Sequence, residues 1–186
     1  SSIFNEDLRW GDFVAVSGGW IISNESFLED NDLISFLKLR GSFGQTGNSA
    51  INVNATQITY ATWGRYGDVG AGDLLSGIGN EDVTWETTDA YDVGTEFELK
   101  QGRVSGSVSY YVQDVRDMLF QVPVPSSSGI FNNSPTIWQN IGDMENKGWE
   151  FEINTINIDK GDFKWETGIN FTTNENQITR LVSEDD

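Results

Sequence analysis

The side chains that most enzymes use for catalysis are almost all missing from this sequence. It contains no histidine and no cysteine among its 186 residues. A Ser-His-Asp triad, a cysteine nucleophile, a disulfide framework and nearly all zinc sites are therefore excluded. Pairs of carboxylates remain, and glycoside hydrolysis uses such a pair. Glu96 and Glu98 are candidates, because residues i and i+2 of one strand lie about 6.5–7 Å apart at Cα.

Carboxylates also dominate the charge of the chain. Its 29 acidic residues outnumber its 11 Lys and Arg residues, so the formal net charge is −18. We expect no nucleic-acid partner, because phosphate binding needs clustered basic side chains. Four acids of one long loop offer oxygens of the kind that Ca²⁺ prefers, but they lack EF-hand spacing; they are Asp68, Asp73, Glu81 and Asp82. We expect no cofactor and interpret these acids as solvated loop residues.

The pattern that recurs along the chain is the two-residue alternation of β-strands. Six segments show it, and they are 14–22, 37–44, 91–99, 103–113, 148–154 and 163–172. In the second segment, Leu37 and Leu39 alternate with Lys38 and Arg40. The pattern predicts an all-β, antiparallel protein in which each strand has one apolar and one polar face.

Alternation is compatible with two architectures. In a soluble sandwich the apolar faces of two sheets meet, whereas in an outer-membrane barrel they face lipid and the polar faces line a wet lumen. The connections favour the barrel. Short turns at 100–102 and 159–161 alternate with long connections, from 45 to about 85 and from 116 to about 136. Loops this long are uncommon in compact soluble domains, but long extracellular loops and short periplasmic turns are typical of outer-membrane barrels.

On the barrel hypothesis the two faces have opposite surroundings. Apolar residues, including aromatic ones that suit membrane interfaces, are predicted to face lipid. They are Leu37, Leu39, Phe43, Val93, Phe97, Val108, Tyr110, Trp149, Phe151, Trp165 and Ile169. Charged residues are predicted to face the lumen, where cross-strand ion pairs are tolerated. They are Lys38, Arg40, Glu96, Glu98, Arg103, Glu150, Glu152, Lys164 and Glu166.

Several longer motifs resemble one known family. LKLRGSFGQTGN (37–48) resembles the signature strand and turn of SusC/RagA-type TonB-dependent outer-membrane transporters of Bacteroidetes. Further motifs follow in the order and approximate spacing of that family: RWGDF (9–13), TWETT (84–88), the pair Tyr110–Tyr111, NIGDMENKGWEFE (140–152) and NFTTNENQITRL (170–181). Together these motifs span nearly the whole chain.

The resemblance implies a multi-pass β-barrel in the bacterial outer membrane. Residues 1–186 are expected to form part of the barrel domain, about six complete strands of a barrel of about 22. The plug, the TonB-contacting segment and the C-terminal strands are expected to be absent from this stretch. The expected role is transport rather than catalysis.

The resemblance also implies partners. We expect TonB-dependent uptake of oligosaccharides or peptides, with a SusD-like surface lipoprotein as a lid, TonB acting through the plug, and outer-membrane lipid around the wall. Four residues of the first long loop are candidates for contacting ligand or lid, because loops carry binding functions and aromatic faces stack on sugars. They are Tyr60, Trp63, Arg65 and Tyr66, although packing within the loop explains them as well.

Two alternatives from other classes stay open on the sequence. One is a secreted β-sandwich that binds glycan and buries its aromatic faces. The other is a SusC-like barrel that is a structural partner in a larger outer-membrane complex without importing anything.

Overall fold

Ten β-strands contain most of the residues that the structure describes. The computed structural model describes residues 3–28, 31–63, 72–130 and 134–181. The strands are β1 (Ala15–Ile21), β2 (Ile34–Asn48), β3 (Thr59–Trp63), β4 (Gly72–Gly77), β5 (Glu86–Leu99), β6 (Val104–Arg116), β7 (Leu119–Pro123), β8 (Thr136–Asn140), β9 (Asp143–Lys160) and β10 (Phe163–Arg180). Within the described ranges, no helix has the length and apolar character required to span a membrane.

Six of the strands form one antiparallel sheet. Its order is β1-β2-β5-β6-β9-β10, so each strand pairs with the next main-sheet strand along the chain. The connections at one end of the sheet are short (22–33, 100–103 and 161–162), and those at the other end are long (49–85 and 117–142). The six predicted strands and the alternation of short and long connections are thus confirmed.

Two features of the sheet go beyond the sequence prediction. β9 and β10 are each 18 residues long and extend well past their predicted segments, because near the long connections polar residues occupy both of their faces and hide the alternation. Each long connection also contains a small antiparallel hairpin, β3–β4 or β7–β8. These strands have five or six residues, which is too short for a clear periodic signal.

Residues with positive φ form two of the short turns. In the β5–β6 turn, Lys100, Gln101 and Gly102 all have positive φ. Between β9 and β10 the loop has two residues, and Gly161 at its first position has φ +58°. Glycine at that position is the requirement of a type II′ hairpin turn.

The buried apolar core of the described residues lies among the long connections. Phe4, Ile51, Ala55 and Val83 are its buried members, and Trp85 packs against them. Partly buried Leu119 and Trp138 join from the second long connection. We call the described residues of the ranges 3–13, 49–85 and 117–142 together the loop layer. Its core shows that these segments pack on one another rather than extending separately into solvent.

The main sheet itself has no second sheet packed on its apolar face in the described ranges. The two other sheets there are the two-stranded hairpins of the loop layer. Large apolar side chains of the main sheet are therefore exposed, and Val93, Trp165 and Ile169 are each more than half exposed. The sandwich alternative predicted burial of these residues, and their exposure does not fit it.

Gly148 lies where strands β6, β9 and β10 leave no room for a side chain. A Cβ atom at this position would lie 2.0 Å from the Thr173 carbonyl oxygen and 2.7 Å from the Tyr111 hydroxyl. We expect Gly148→Ala to lower the free energy of unfolding by about 1–3 kcal/mol, as overpacking does. Gly18→Ala is the matched control, because nothing lies within 4 Å of the added methyl group. Urea unfolding of the refolded parent barrel measures both, and equal stability of the two variants would contradict the prediction.

Candidate functional site

The strand register sorts the side chains of the main sheet onto two faces. All the residues predicted to contact lipid share one face, which we call the apolar face; its rows include Leu39–Thr95–Val108–Phe151 and Gly41–Val93–Tyr110–Trp149. The residues predicted to line the lumen share the opposite, polar face, with one exception. Arg103 lies in the β5–β6 turn, outside the strands.

On each main-sheet strand other than β1, the apolar part of this face extends over nine or ten residues. The stretches are Ile34–Phe43, Tyr91–Leu99, Val104–Val112, Trp149–Ile158 and Phe163–Phe171. About 9–11 residues of tilted strand are needed to cross the hydrocarbon core of a membrane. Aromatic rings of neighbouring strands contact each other on this face. Their centroids are 4.8 Å apart for Tyr110 and Trp149 and 4.9 Å apart for Phe43 and Tyr91.

The apolar stretch also shifts, relative to the register rows, in the same direction at both of its ends. The row that begins at Phe43 reaches Glu175 on β10, four residues beyond Phe171, where the apolar stretch of that strand ends. At the other end the row from Leu99 reaches Thr167 on β10, four residues after Phe163, where the apolar stretch of that strand begins. A shift of about 13 Å over four strand spacings of about 4.8 Å corresponds to a tilt of about 35°, which is within the range of membrane barrels.

Ion pairs on the polar face connect β2 with β5. Lys38 Nζ lies 3.4 Å from Glu96 Oε1, and Arg40 Nε lies 3.6 Å from the same oxygen. Arg40 also pairs with Asp92, a partner that sequence reasoning did not single out. On β10, Lys164 pairs with Glu166 at 2.6 Å. The cations of the polar face on β2 and β10 thus find carboxylates on the same face.

A groove of about 670 Å³ opens next to these ion pairs, toward the long connections. Small residues form its floor on β1, β2 and β5: Ala15, Ser17, Ser42, Gly44 and Ala90. Larger polar side chains form its rim on β5, β6 and β9: Asp92, Tyr111, Gln113, Asn146 and Glu150.

A hydrogen-bond network lies where the main strands meet the long connections. We call it the rim network; its residues are Asn48, Thr84, Glu86, Asp117, Asn140, Asp143 and Arg180. Asn140 accepts from Thr84 N–H at 2.8 Å and donates to the carbonyl oxygens of Thr84 and Asp117. Glu86 accepts from the Asn48 amide and from Leu119 N–H. These contacts fix both long connections to the strands they join.

Asp143 is the charged centre of the rim network. Arg180 Nε donates to its Oδ2 at 2.7 Å, and Asp117 N–H donates to its Oδ1 at 3.1 Å. Asp143 begins β9 six residues before Trp149, where the apolar stretch of that strand begins. The hydrogen bond from Arg180 is the main cause that lowers the pKa of Asp143 below its usual 3.8.

This lowered pKa gives the rim network a pH dependence. Stabilisation from the Asp143 carboxylate is present above pH 3.8 and is lost as the pH falls through the lower folded-state value. We expect Asp143→Asn to speed hydrogen exchange at Asp117 N–H at neutral pH, and wild type to approach the variant in acid. Asp114→Asn, on the opposite side of β6 from the groove, is the control and should match wild type throughout. A difference in the exchange rate at Asp117 N–H between Asp143→Asn and wild type that stays constant from neutral pH to acid would contradict the prediction.

Comparison with known proteins decides the family. Residues 29–185 match the model of a family described as TonB dependent receptor-like, beta-barrel. The chain belongs to this family. TonB-dependent receptors are outer-membrane transporters rather than enzymes, so the predicted localisation and absence of catalysis are confirmed. The hypothesis of a Glu96–Glu98 glycosidase is wrong.

Similar proteins come from Bacteroidetes. The chain is 38% identical over 185 residues to TonB-dependent receptor P39 of Formosa agariphila, covering 100% of the chain and 17% of that relative. It is 36% identical over 192 residues to TonB-dependent receptor SusC of Bacteroides thetaiotaomicron, covering 100% of the chain and 19% of SusC. In a solved structure of the RagAB peptide importer in the closed-closed state, the match has a TM-score of 0.86 and 31% identity, covering 98% of this chain and 20% of that one. The chain therefore spans about a fifth of the length of these relatives.

The rim network gives the TonB-dependent receptor motifs a structural role. Asn48, Glu86, Asn140 and Arg180 each come from a different motif, at 37–48, 84–88, 140–152 and 170–181. Asp143 begins the long strand β9 and joins it to β10 and to the second long connection. Recurrent Asn, Glu and Asp at strand ends were the available signal.

The candidate loop residues are only partly described. Tyr60 and Trp63 lie in β3, and the Tyr60 side chain is 67% exposed. Arg65, Tyr66 and the loop acid Asp68 lie outside the described residues. Asp73 accepts a hydrogen bond from Thr62 at 2.9 Å, and the described part of the chain brings no group of three His, Cys, Asp or Glu together for a metal. A role for these loop residues stays a prediction.

Proposed function

We propose that this chain forms barrel wall and extracellular loops of an active importer that takes up oligosaccharides or peptides. The observation that carries the proposal is the pairing of a tilted apolar stretch of membrane-spanning length with a polar, grooved opposite face. Such a wall separates lipid from a wet lumen. Family membership adds dependence on TonB.

On this proposal the apolar face contacts lipid and the polar face contacts the lumen. The short turns face the periplasm, and the loop layer faces the cell exterior. Strands β9 and β10 extend beyond the apolar stretch on the exterior side, and there the rim network holds the loop layer against the wall. A plug and a TonB-contacting segment belong to other parts of the parent polypeptide.

The same proposal assigns the loop layer a position at the entrance. A SusD-like lipoprotein lid is the proposed partner there, in keeping with the RagAB assembly of the solved importer. Exposed Tyr60 is the candidate contact that the structure describes. The buried core of the loop layer, which includes Phe4 and Val83, supports this position, because a packed loop layer presents a defined surface to a partner.

Gene deletion tests the import function. A strain without the parent gene should grow more slowly on the transported oligosaccharide or peptide mixture as sole carbon source, and a plasmid copy should restore growth. Copurification of a tagged parent protein in mild detergent should recover the lipoprotein. If the barrel is a structural partner instead, deletion will leave every uptake rate unchanged while the complex falls apart.

A further inference from the structure

The groove on the polar face has an excess of hydrogen-bond acceptors. Asp92 is paired with Arg40, but Glu150 has one long hydrogen bond, 3.4 Å from the Ser109 hydroxyl. No described lysine or arginine forms an ion pair with Glu150. Its side chain is exposed at the groove rim, so this carboxylate is available to an occupant.

A second acceptor on the same rim lacks a donor. The Oδ1 atom of Asn146 is buried without a hydrogen-bond partner among the described residues. Buried polar atoms are nearly always hydrogen-bonded, and an unpaired one carries a desolvation cost. Rotation of the amide turns either its oxygen or its nitrogen toward the groove. Asn146 lies four residues before Glu150 along β9, on the same face.

The other charged residues of the polar face also favour a cationic ligand. In its central rows, Lys38 and Arg40 are already paired with Asp92 and Glu96. Glu98 and Glu152 add carboxylates with no described cation partner. The whole chain carries a net charge of −18. A potential of one sign along a cleft attracts ligands of the opposite charge.

We propose that this groove is a binding subsite for a basic side chain of a transported peptide, with Glu150 as the carboxylate that pairs with its guanidinium or ammonium group. The inference rests on the proposed import function and narrows its substrate class. A planar guanidinium offers five donors, which suits the carboxylate, Asn146, Gln113 and the Tyr111 hydroxyl. The small floor, including Ser42 and Ala90, leaves room for the peptide backbone beside the side chain.

A neutral oligosaccharide fits the same features less well. Hydroxyl groups both donate and accept, so an acceptor-rich rim satisfies half of their capacity. Tyr111 is the one aromatic residue of the groove lining that lies on the polar face, since Phe43 and Tyr91 have their rings on the apolar face. Stacking on a sugar would therefore be limited to a single ring. The groove therefore favours a cation-bearing peptide.

An arginine–citrulline pair isolates the charge. The probes are the acetylated, amidated pentapeptide Ala-Ala-Arg-Ala-Ala and its citrulline analogue, which is neutral and nearly isosteric. Binding to the purified full-length transporter, together with its lipoprotein if one copurifies, is measured by calorimetry. We expect the arginine peptide to bind about tenfold more tightly, as one charge-assisted hydrogen bond allows.

Three variants locate the discrimination. Glu150→Gln should abolish the preference for the arginine peptide. Ser42→Leu should lower the affinity for both peptides, because the leucine side chain fills the floor of the groove. Glu166→Gln, a polar-face carboxylate that pairs with Lys164 away from the groove, should leave both affinities unchanged. Ser42→Leu also provides a test that does not depend on Glu150→Gln folding.

The outcomes separate this subsite from the import function. Equal binding of the two peptides, or a preference that persists in Glu150→Gln, overturns the subsite. Absence of peptide binding overturns it as well. In that case loss of growth on an oligosaccharide after gene deletion still supports import, whereas unchanged growth on every substrate means that import itself fails.

Discussion

Val108→Arg is expected to lower the free energy of unfolding of the membrane-embedded transporter by about 2–4 kcal/mol, the cost of arginine on the lipid face near the bilayer midplane. Val108 lies at the centre of the β6 apolar stretch, Val104–Val112. Its neighbours in the same row are Thr95 on β5 and Phe151 on β9. None of them offers a carboxylate to pair with the new charge.

The neighbouring position supplies the control. Ser107 lies on the polar face in register with Glu96 and Glu152, so Ser107→Arg places the same side chain beside two carboxylates. We expect Ser107→Arg to retain nearly full stability. Heat-modifiable mobility on gels reports assembly in the outer membrane, and urea unfolding in liposomes reports stability. Equal losses for the two variants, or a larger loss for Ser107→Arg, would show that the faces are assigned the wrong way round.

Phe4→Ala is expected to destabilise the loop layer by about 3–5 kcal/mol, the usual cost of removing a buried phenylalanine ring. The Phe4 ring is 2% exposed and lies 5.2 Å from the Trp85 ring, centroid to centroid. Because the loop layer has its own core, the loss should appear as local opening of 49–57 and 78–85. Strands β5 and β6 should keep their protection, since their hydrogen bonds do not depend on that core.

Hydrogen exchange of the full-length transporter measures this local opening. A sensitive site is Asn80 N–H, which donates to the Ala55 carbonyl oxygen at 2.8 Å across the first long connection. Val53→Ala is the matched control, because Val53 lies in the same segment but is 72% exposed. If Asn80 N–H exchanges at the same rate in Phe4→Ala and Val53→Ala, the loop layer is not a separate packed unit. The same conclusion holds if protection from exchange falls uniformly through the barrel.

The faces and the order of the strands could be predicted because they depend on local pattern. Side chains alternate every two residues along a strand, so Leu37, Leu39 and Phe43 must share a side that Lys38 and Arg40 avoid. Short turns between such strands leave antiparallel pairing of neighbours as the simple arrangement. The alternation ends before Gly148, because Asp143, Glu145 and Lys147 stand where the apolar face would continue. The pattern therefore does not predict the full length of β9.

The contacts that give the motifs their roles needed the tertiary structure. Arg180 reaches Asp143 over 37 positions and Asp117 over 63, and Asn140 reaches Thr84 over 56. No local periodicity encodes which of many polar residues will meet at such separations. The register of six strands decides it, since it brings the ends of β5, β6, β9 and β10 to one level.

The sequence by itself determined the all-β class, the two faces of each strand, the short and long ends and the family. Tertiary structure decided the loop-layer core, the rim network and the groove beside Glu150. The physical reason is that alternation and turn chemistry act between neighbours in the chain. Burial, desolvated acceptors and concave surface arise only when distant segments pack together.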